Sequence, residues 1–357
     1  MRGIVFSLLL LVSCCAFAQS YHYDVEKVVD GVYVLKPVIN DYRWVTANII
    51  LIVNERDAMV VDSGLTPAAG VEAIKEIKKI TPLPVKYLVN THWHGDHWQG
   101  NEAFVDAYPG IEIVASAEGR QGIMRNGMVW VRQYYFKYLQ MMADDYEGAA
   151  SKGYFEESKP LTAAQMKTLK DGLADVKADI DAIRKMKPTP PNITFDKLMT
   201  IRRGGREIEL HHLGWGNTTG DAIIYLPKEK MLIPGDLVVS PSPYESGAFS
   251  REWLETSKKL RQFDFSYLIP GHGEVQHDAS YLDFLNALYA ETIRQIDQAW
   301  LSGKSTIDEV KVVVTHESVV AELSKDPRNT KFLKDLQPDF VPAAVRTALQ
   351  KAKEGKL

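Results

Sequence analysis

Two segments of the chain share one pattern of apolar runs and turns, and this repetition constrains the fold more than any other feature. Residues 48–61 contain two apolar runs around a polar turn and end at Asp62-Ser63-Gly64, whereas residues 222–233 repeat the pattern and end at Gly235-Asp236. Short apolar runs bounded by turn residues predict buried strands. Two strand–turn–strand units that each end on Asp beside Gly therefore predict an α/β fold, a duplicated αββα sandwich.

A cluster of metal-type ligands follows the strand predicted over residues 85–89. Its members are His92, His94, Asp96 and His97, so four candidate ligands lie within six residues. Imidazole and carboxylate hold a divalent metal while leaving a position open for water. Side chains that fan out beyond a strand would bring His92 and His94 to one point, and Asp96 and His97 to a second. The spacing predicts a metal site at the carboxyl end of this strand, where open α/β sheets generally bind ligands.

This H-x-H-x-D-H run resembles the signature of the metallo-β-lactamase superfamily. The resemblance covers roughly residues 30–120 and 195–280. It implies that Asp236, in Gly235-Asp236, is the aspartate that bridges two metals, and that His272, in Pro270-Gly-His-Gly273, is the last histidine ligand. One site would then use His92 and His94, and the other would use Asp96, His97 and His272.

One position departs from the pattern of that family. The loop 213–221 resembles the family's Gly-His-Thr-x-Gly-Asp loop, but Asn217 stands where the third histidine is expected. An amide oxygen is a weaker zinc ligand than imidazole. We therefore expect one or two divalent ions, zinc or another metal, in unequal sites, with Asn217 a weak ligand or none. His212 is an alternative donor, and Thr218 and Asp221 are candidates to orient the ligands.

The rest of the chain predicts an insert and an extension around this sandwich. We expect the metallo-β-lactamase-like domain over residues 19–280, a helical insert over about 118–191, and a C-terminal helical extension over 281–357. In the insert, apolar residues that recur every three or four positions predict a long helix that begins after Thr162. The preceding aromatic segment, 128–142, is open between core packing and a lid over the metal site.

Residues 1–18 have the pattern of a secretory signal peptide. Arg2 precedes an apolar run, and Ala16-Phe17-Ala18 is a small-x-small cleavage pattern. We expect a periplasmic or secreted protein that begins at Gln19 and has no cysteine, because Cys14 and Cys15 are removed. The run 11–14 also resembles a lipobox, which would anchor the protein to a membrane through Cys14.

The chemistry expected of such a site is hydrolysis of a small-molecule substrate. A bound metal lowers the pKa of water to about 7, so that hydroxide attacks an ester, lactone, thioester or amide, while Asp96 orients the nucleophile and relays its proton. A secreted β-lactamase is one alternative, and a non-catalytic binding protein with a decayed site is another. A nucleic-acid partner is not expected, because the formal net charge is −4 and no basic cluster interleaved with aromatics occurs.

Overall fold

A computed structural model describes residues 21–38, 46–155, 159–245 and 247–353. The predicted signal peptide and the alternative lipobox lie outside these residues. Within them, twelve strands form two sheets. The first sheet has the order β1 Tyr23–Val29, β2 Val32–Pro37, β3 Ile49–Val53, β4 Ala58–Val61, β5 Val85–Val89, β6 Glu112–Ser116 and β7 Ile193–Phe195. The second has the order β12 Tyr267–His272, β11 Met231–Val239, β10 Ile223–Leu226, β9 Arg206–His211 and β8 Leu198–Arg203.

The two predicted strand–turn–strand units are one antiparallel pair in each sheet. The pair β3–β4 lies in the first sheet and the pair β10–β11 in the second. Each pair then continues into a parallel neighbour, β5 beside β4 and β12 beside β11. The repetition in the sequence therefore corresponds to two similar half-sandwiches.

Helices cover the outer faces of both sheets and supply the insert and the extension. They are α1 Pro67–Ile80, α2 Gly95–Trp98, α3 Asn101–Ala107, α4 Ala117–Gly122, α5 Met128–Trp130, α6 Phe136–Lys152, α7 Ala163–Lys185, α8 Ser250–Leu260, α9 Ser280–Leu301, α10 Ile307–Lys311, α11 His316–Leu323, α12 Thr330–Leu333 and α13 Phe340–Lys353. π-Helical turns at Ile123–Gly127 and Val131–Tyr135, and a 3₁₀ turn at Pro327–Asn329, complete the set.

Three apolar layers hold the sandwich together. Between the sheets, side chains of the first sheet such as Ile50 meet those of the second such as Ile233. The opposite face of the first sheet packs on α1 and α3, and that of the second sheet packs on α8, α9 and the extension. The predicted αββα sandwich is confirmed.

The insert connects β6 to β7 and packs beside the histidine motif. Thr162 caps α7 through its hydroxyl and a reciprocal contact with Gln165, as the sequence predicts. Val131 and Tyr135 of the aromatic segment are buried in one cluster with Trp98, the residue after His97. Of the two interpretations of the aromatic segment, the structure supports core packing for these residues, and this core borders the candidate site.

The extension consists of short helices behind the second sheet. Beyond α9 the sequence predicts helices over residues 306–315 and from 342, whereas the structure has four helices and a 3₁₀ turn. The predicted helix over 306–315 corresponds to the shorter α10. The helices that were missed, α11 and α12, are short, and the capping of α11 by Thr315 was an available signal. None of the helices described is both long and apolar enough to cross a membrane.

Candidate metal centre

The candidate ligands converge at one edge of the sandwich, where strands of both sheets end. His92, Asp96 and His97 follow β5, Asp236 lies within β11, and His272 ends β12. The backbone N–H of Ala222 donates to Thr91 O at 2.7 Å, which ties the loop of the second sheet to the motif of the first. The site is therefore built from both halves of the fold.

Five side chains meet closely enough to share metal ions. His97 Nε2 lies 3.4 Å from both Asp96 Oδ2 and Asp236 Oδ1. His272 Nε2 lies 3.1 Å from Asp96 Oδ2 and 3.5 Å from Asp236 Oδ1, and His92 Nε2 lies 3.7 Å from Asp236 Oδ2. These atoms form two overlapping groups of metal-ligand type, one of His92, His97 and Asp236, the other of Asp96, His97 and His272.

The polar atoms at the centre of this cluster have no hydrogen-bond partner among the described residues. They are His92 Nε2, Asp96 Oδ2, His97 Nε2 and Asp236 Oδ1. Buried polar atoms without partners cost free energy, so native proteins rarely leave several together unless an ion or water joins them. Nitrogen and carboxylate oxygen are also the donors that divalent zinc prefers. The residues present fit a divalent metal.

The charges of the cluster oppose the effect of burial. Burial alone would lower the pKa of His272, but the carboxylates of Asp236 and Asp96 raise it to about 10. Burial would likewise lower the pKa of His97, but the carboxylates of Asp96, Asp236 and Asp62 raise it well above the usual range. Carboxylates that hold protons on two buried imidazoles so strongly also attract a divalent cation in their place.

His97 is fixed by a residue that the sequence analysis did not assign to the site. Its Nδ1 lies 2.7 Å from Asp62 Oδ2, so that Nε2 faces the cluster. Asp62 in turn accepts hydrogen bonds from the backbone N–H and the hydroxyl of Thr91. It adopts a left-handed backbone with φ of 61°, uncommon for a residue other than glycine. A carboxylate that holds the far nitrogen of a histidine is typical of metal sites.

Two glycines allow the strands of the second sheet to approach the cluster. Gly235 has φ of 56°, and a Cβ there would lie 2.7 Å from the side chain of Thr91. A Cβ on Gly271 would lie 2.0 Å from Asp236 Oδ1. Larger residues at either position would displace the aspartate or the motif.

His94 lies beside the cluster but in neither group of converging ligand atoms. Its ring contacts that of His92 edge-on, with centroids 4.6 Å apart, and it also contacts Trp93 and Tyr244. Burial lowers the pKa of His94 to about 4, so its imidazole is neutral at neutral pH. The sequence predicted that His92 and His94 face one point. In the structure, Asp236 and His97 lie nearest to His92, because the motif folds into the short helix α2 rather than an open loop.

Asn217 is buried, and its amide has a defined orientation. Nδ2 donates to Tyr244 O at 3.0 Å, while Oδ1 has no partner among the residues described. Reversing the amide would place its oxygen against that carbonyl, so Oδ1 is the atom left free. Asp221 holds the loop by accepting from the backbone and hydroxyl of Thr218. Burial raises the pKa of Asp221 to about 7. Thr218 and Asp221 thus shape the loop that carries Asn217.

His212 does not replace the missing imidazole. Its Nε2 lies 3.0 Å from Thr219 O and its Nδ1 lies 3.3 Å from Asp196 O, so both nitrogens face backbone carbonyls. His211 lies 2.7 Å from Glu209 and contacts Phe263. Neither histidine belongs to the two groups of converging ligand atoms.

Known proteins resemble this chain over most of the sandwich. A linear primary-alkylsulfatase from Pseudomonas sp. is 24% identical over 265 residues, which are 71% of this chain and 47% of that protein. A type 2 metallo-beta-lactamase from Elizabethkingia meningoseptica is 21% identical over 226 residues, or 61% of this chain and 87% of that protein.

Solved structures share the fold. A sec-alkylsulfatase from Pseudomonas sp. covers 92% of this chain with 50% of its own length, at a TM-score of 0.59 and 18% identity. A metallo-beta-lactamase from Pontibacter korlensis covers 75% of this chain with 99% of its own, at a TM-score of 0.51 and 21% identity. The chain thus spans about half the length of these two alkylsulfatases. A family model, described as the metallo-beta-lactamase superfamily, matches residues 42–272. Because that match covers more than half of the chain and the two-sheet sandwich agrees with it, this protein belongs to the metallo-beta-lactamase superfamily.

Proposed function

We propose that this protein is a metal-dependent hydrolase that cleaves an ester-type bond in a small molecule. The observation that carries the proposal is the set of buried ligand atoms without partners, His92 Nε2, Asp96 Oδ2, His97 Nε2 and Asp236 Oδ1, which converge from both sheets. An ordinary packed core rarely leaves several such polar atoms unpaired together, so they favour a bound ion at the end of the strands, where open α/β folds bind their ligands.

We assign the ligands to two unequal zinc-type sites. Asp96, His97 and His272 hold the stronger site, His92 and His94 hold the weaker one, and Asp236 lies between them. Asn217 completes the weaker site only as a neutral amide oxygen. When bound, the metal acidifies water and polarises the bond to be cleaved.

The protein's own groups then position the reactants and move the proton. Asp96 is buried and its Oδ2 lies 3.1 Å from His272 Nε2, so this carboxylate is held rigidly at the centre of the cluster. In the proposed reaction the Asp96 carboxylate, through the oxygen that is not a metal ligand, accepts the proton of the attacking water and returns it to the leaving atom. His97 is kept in one orientation by Asp62 and cannot rotate away during the reaction.

The proposed substrates are esters, lactones, thioesters and amides. A sulfate ester is a second candidate, favoured by the alkylsulfatase alignment, which extends over 71% of this chain. A β-lactam is a third, favoured by the type 2 metallo-beta-lactamase alignment, and Asn217 argues against it. Thr218 and Asp221 are proposed to hold the Asn217 loop in each case.

Export through residues 1–18 is also part of this proposal, with the periplasm or the medium as the location. The intact mass of the native protein is expected to correspond to a chain that begins at Gln19. The mass of a lipidated chain that begins at Cys14 would instead show that the protein is anchored to a membrane.

The test is a hydrolysis screen of the zinc-loaded protein. The panel is p-nitrophenyl acetate, a homoserine lactone, an acyl thioester, dodecyl sulfate and nitrocefin. Asp96→Asn is expected to lower turnover of the accepted substrate by about 10²–10⁴, the usual contribution of an acid–base group. Asp171→Asn, on the exposed face of α7, is the control and should leave turnover unchanged. Turnover by Asp96→Asn close to that of the wild type would place the reaction elsewhere, and failure of the whole panel would favour a binding protein.

A further inference from the structure

Tyr244 is a half-exposed aromatic residue at the edge of the metal centre. Its side chain is 48% exposed, and its ring meets that of His94 edge-on with centroids 5.9 Å apart. The ring of Trp93, partly buried, also contacts His94, at 4.5 Å. Two aromatic rings therefore border the one candidate ligand histidine that lies outside both groups of converging atoms.

The backbone around Tyr244 is anchored on both sides. Tyr244 O accepts from Asn217 Nδ2 at 3.0 Å. The next residue, Glu245, is buried, accepts from the Ser250 hydroxyl at 2.9 Å, and its carbonyl accepts from the Thr347 hydroxyl of α13 at 3.1 Å. The backbone of Tyr244 is therefore held on both sides beside His94, while nearly half of the residue's surface faces solvent.

We propose that Tyr244, together with Trp93, forms an aromatic wall of the substrate site and selects substrates with a flat apolar group beside the bond that is cleaved. The proposal rests on the proposed function, because the wall acts on a substrate held at the metal centre. A rigid aromatic ring binds another flat ring better than it binds a chain or a puckered ring of similar size, since ring pairs gain from their charge distribution as well as from buried area. The ring is already in place before binding, so little conformational entropy is lost.

Three hydroxamic acids test this selection by binding rather than by activity. Acetohydroxamic, cyclohexanecarbohydroxamic and benzohydroxamic acid carry the same metal-binding group, and they differ in the size and flatness of the apolar part. Calorimetry on the zinc-loaded wild type should show benzohydroxamic acid binding about three- to tenfold more tightly than the cyclohexane compound.

Variants of Tyr244 separate the ring from the metal. Tyr244→Ala should abolish the preference for benzohydroxamic acid while acetohydroxamic acid binds as before, because the hydrogen bond from Asn217 is made to a backbone carbonyl. Tyr244→Phe should retain the preference. Tyr134→Ala removes another exposed ring, in the insert, and should change none of the three affinities.

The outcomes distinguish the wall from the metal centre. Equal binding of the flat and the puckered compound, or a preference that survives Tyr244→Ala, would overturn the aromatic wall and leave the hydrolase proposal standing. If none of the three compounds binds the zinc-loaded protein, the metal has no open position for a substrate, and both the wall and the hydrolase proposal are rejected.

Discussion

At the scale of single residues, the site depends on Asp62 as well as on the ligands themselves. Asp62 is 1% exposed and holds His97 Nδ1, so it determines which nitrogen of His97 faces the cluster. Its left-handed backbone is kept by the two hydrogen bonds from Thr91. Strain of this kind is expected at a functional residue, where the surrounding contacts fix the conformation.

We predict that Asp62→Asn weakens zinc binding by about 10- to 100-fold, the usual effect of removing a carboxylate that orients a histidine ligand. The asparagine has nearly the same shape but carries no charge. Zinc affinity is measured by competition with a chromophoric chelator. Asp179→Asn serves as the control. Asp179 is also buried, but it lies far from the histidine motif in sequence and accepts a hydrogen bond from the Tyr21 hydroxyl. Equal zinc affinity in the wild type and Asp62→Asn would show that His97 needs no such partner.

Most candidate ligands could be found from the sequence because their chemistry is local. His92, His94, Asp96 and His97 lie within six residues after a strand, and the order and spacing of Asp236 and His272 resemble those of the family. Asp62 was recognised only as the end of a strand. Its role arises because β4 pairs in parallel with β5, which brings the ends of both strands together, and a strand pairing is not visible in one segment of sequence.

At the scale of elements, the last helix contributes to the site through one hydrogen bond. The Thr347 hydroxyl of α13 donates to Glu245 O, and the carbonyl of the neighbouring Tyr244 accepts a hydrogen bond from Asn217 Nδ2. Thr347 is thus a positioning residue for Asn217, although the two residues are far apart in the chain. The extension is part of the support of the metal centre rather than an appendage.

We predict that Thr347→Val lowers the affinity of the weaker metal site by roughly two- to tenfold, the usual net contribution of one hydrogen bond. Thr347→Ser keeps the hydroxyl and should restore the wild-type value. Thr292→Val, in α9, removes a buried hydroxyl that donates to Leu288 O of the same helix, and it is the matched control. Metal titration followed by calorimetry gives the metal affinity of each of the two proposed sites. If both valine variants changed the metal affinity equally, Thr347 would have no specific role in positioning Asn217.

The elements themselves were predicted to different degrees. The helix after Thr162 follows from its apolar period and its capping residues, and its start agrees with the structure. The π-helical turn at Ile123–Gly127 does not follow from any period, and at its two ends Trp93 and Trp98 pack against Gly122 and Gly127. Tertiary packing decides such turns.

At the scale of the whole molecule, the duplicated sandwich explains why one site needs both halves of the chain. Each half carries an aspartate close to a glycine, Asp62 directly after β4 and Asp236 within β11, which continues to Val239 rather than ending there as the sequence suggested. Asp62 orients His97, and Asp236 belongs to the cluster of candidate ligands. Asn217 departs from the histidine pattern of the family, and in the proposed assignment it belongs to the weaker site.

The most direct measurement is the metal content of the wild type and of Asn217→His after limited dialysis against a weak chelator. The account predicts that the wild type retains about one ion firmly and loses a second easily, because a neutral amide binds zinc less well than imidazole. Asn217→His should raise the retained metal toward two ions. A wild type that retains no metal would contradict the metal centre, and one that keeps two ions as firmly as the variant would contradict the unequal sites.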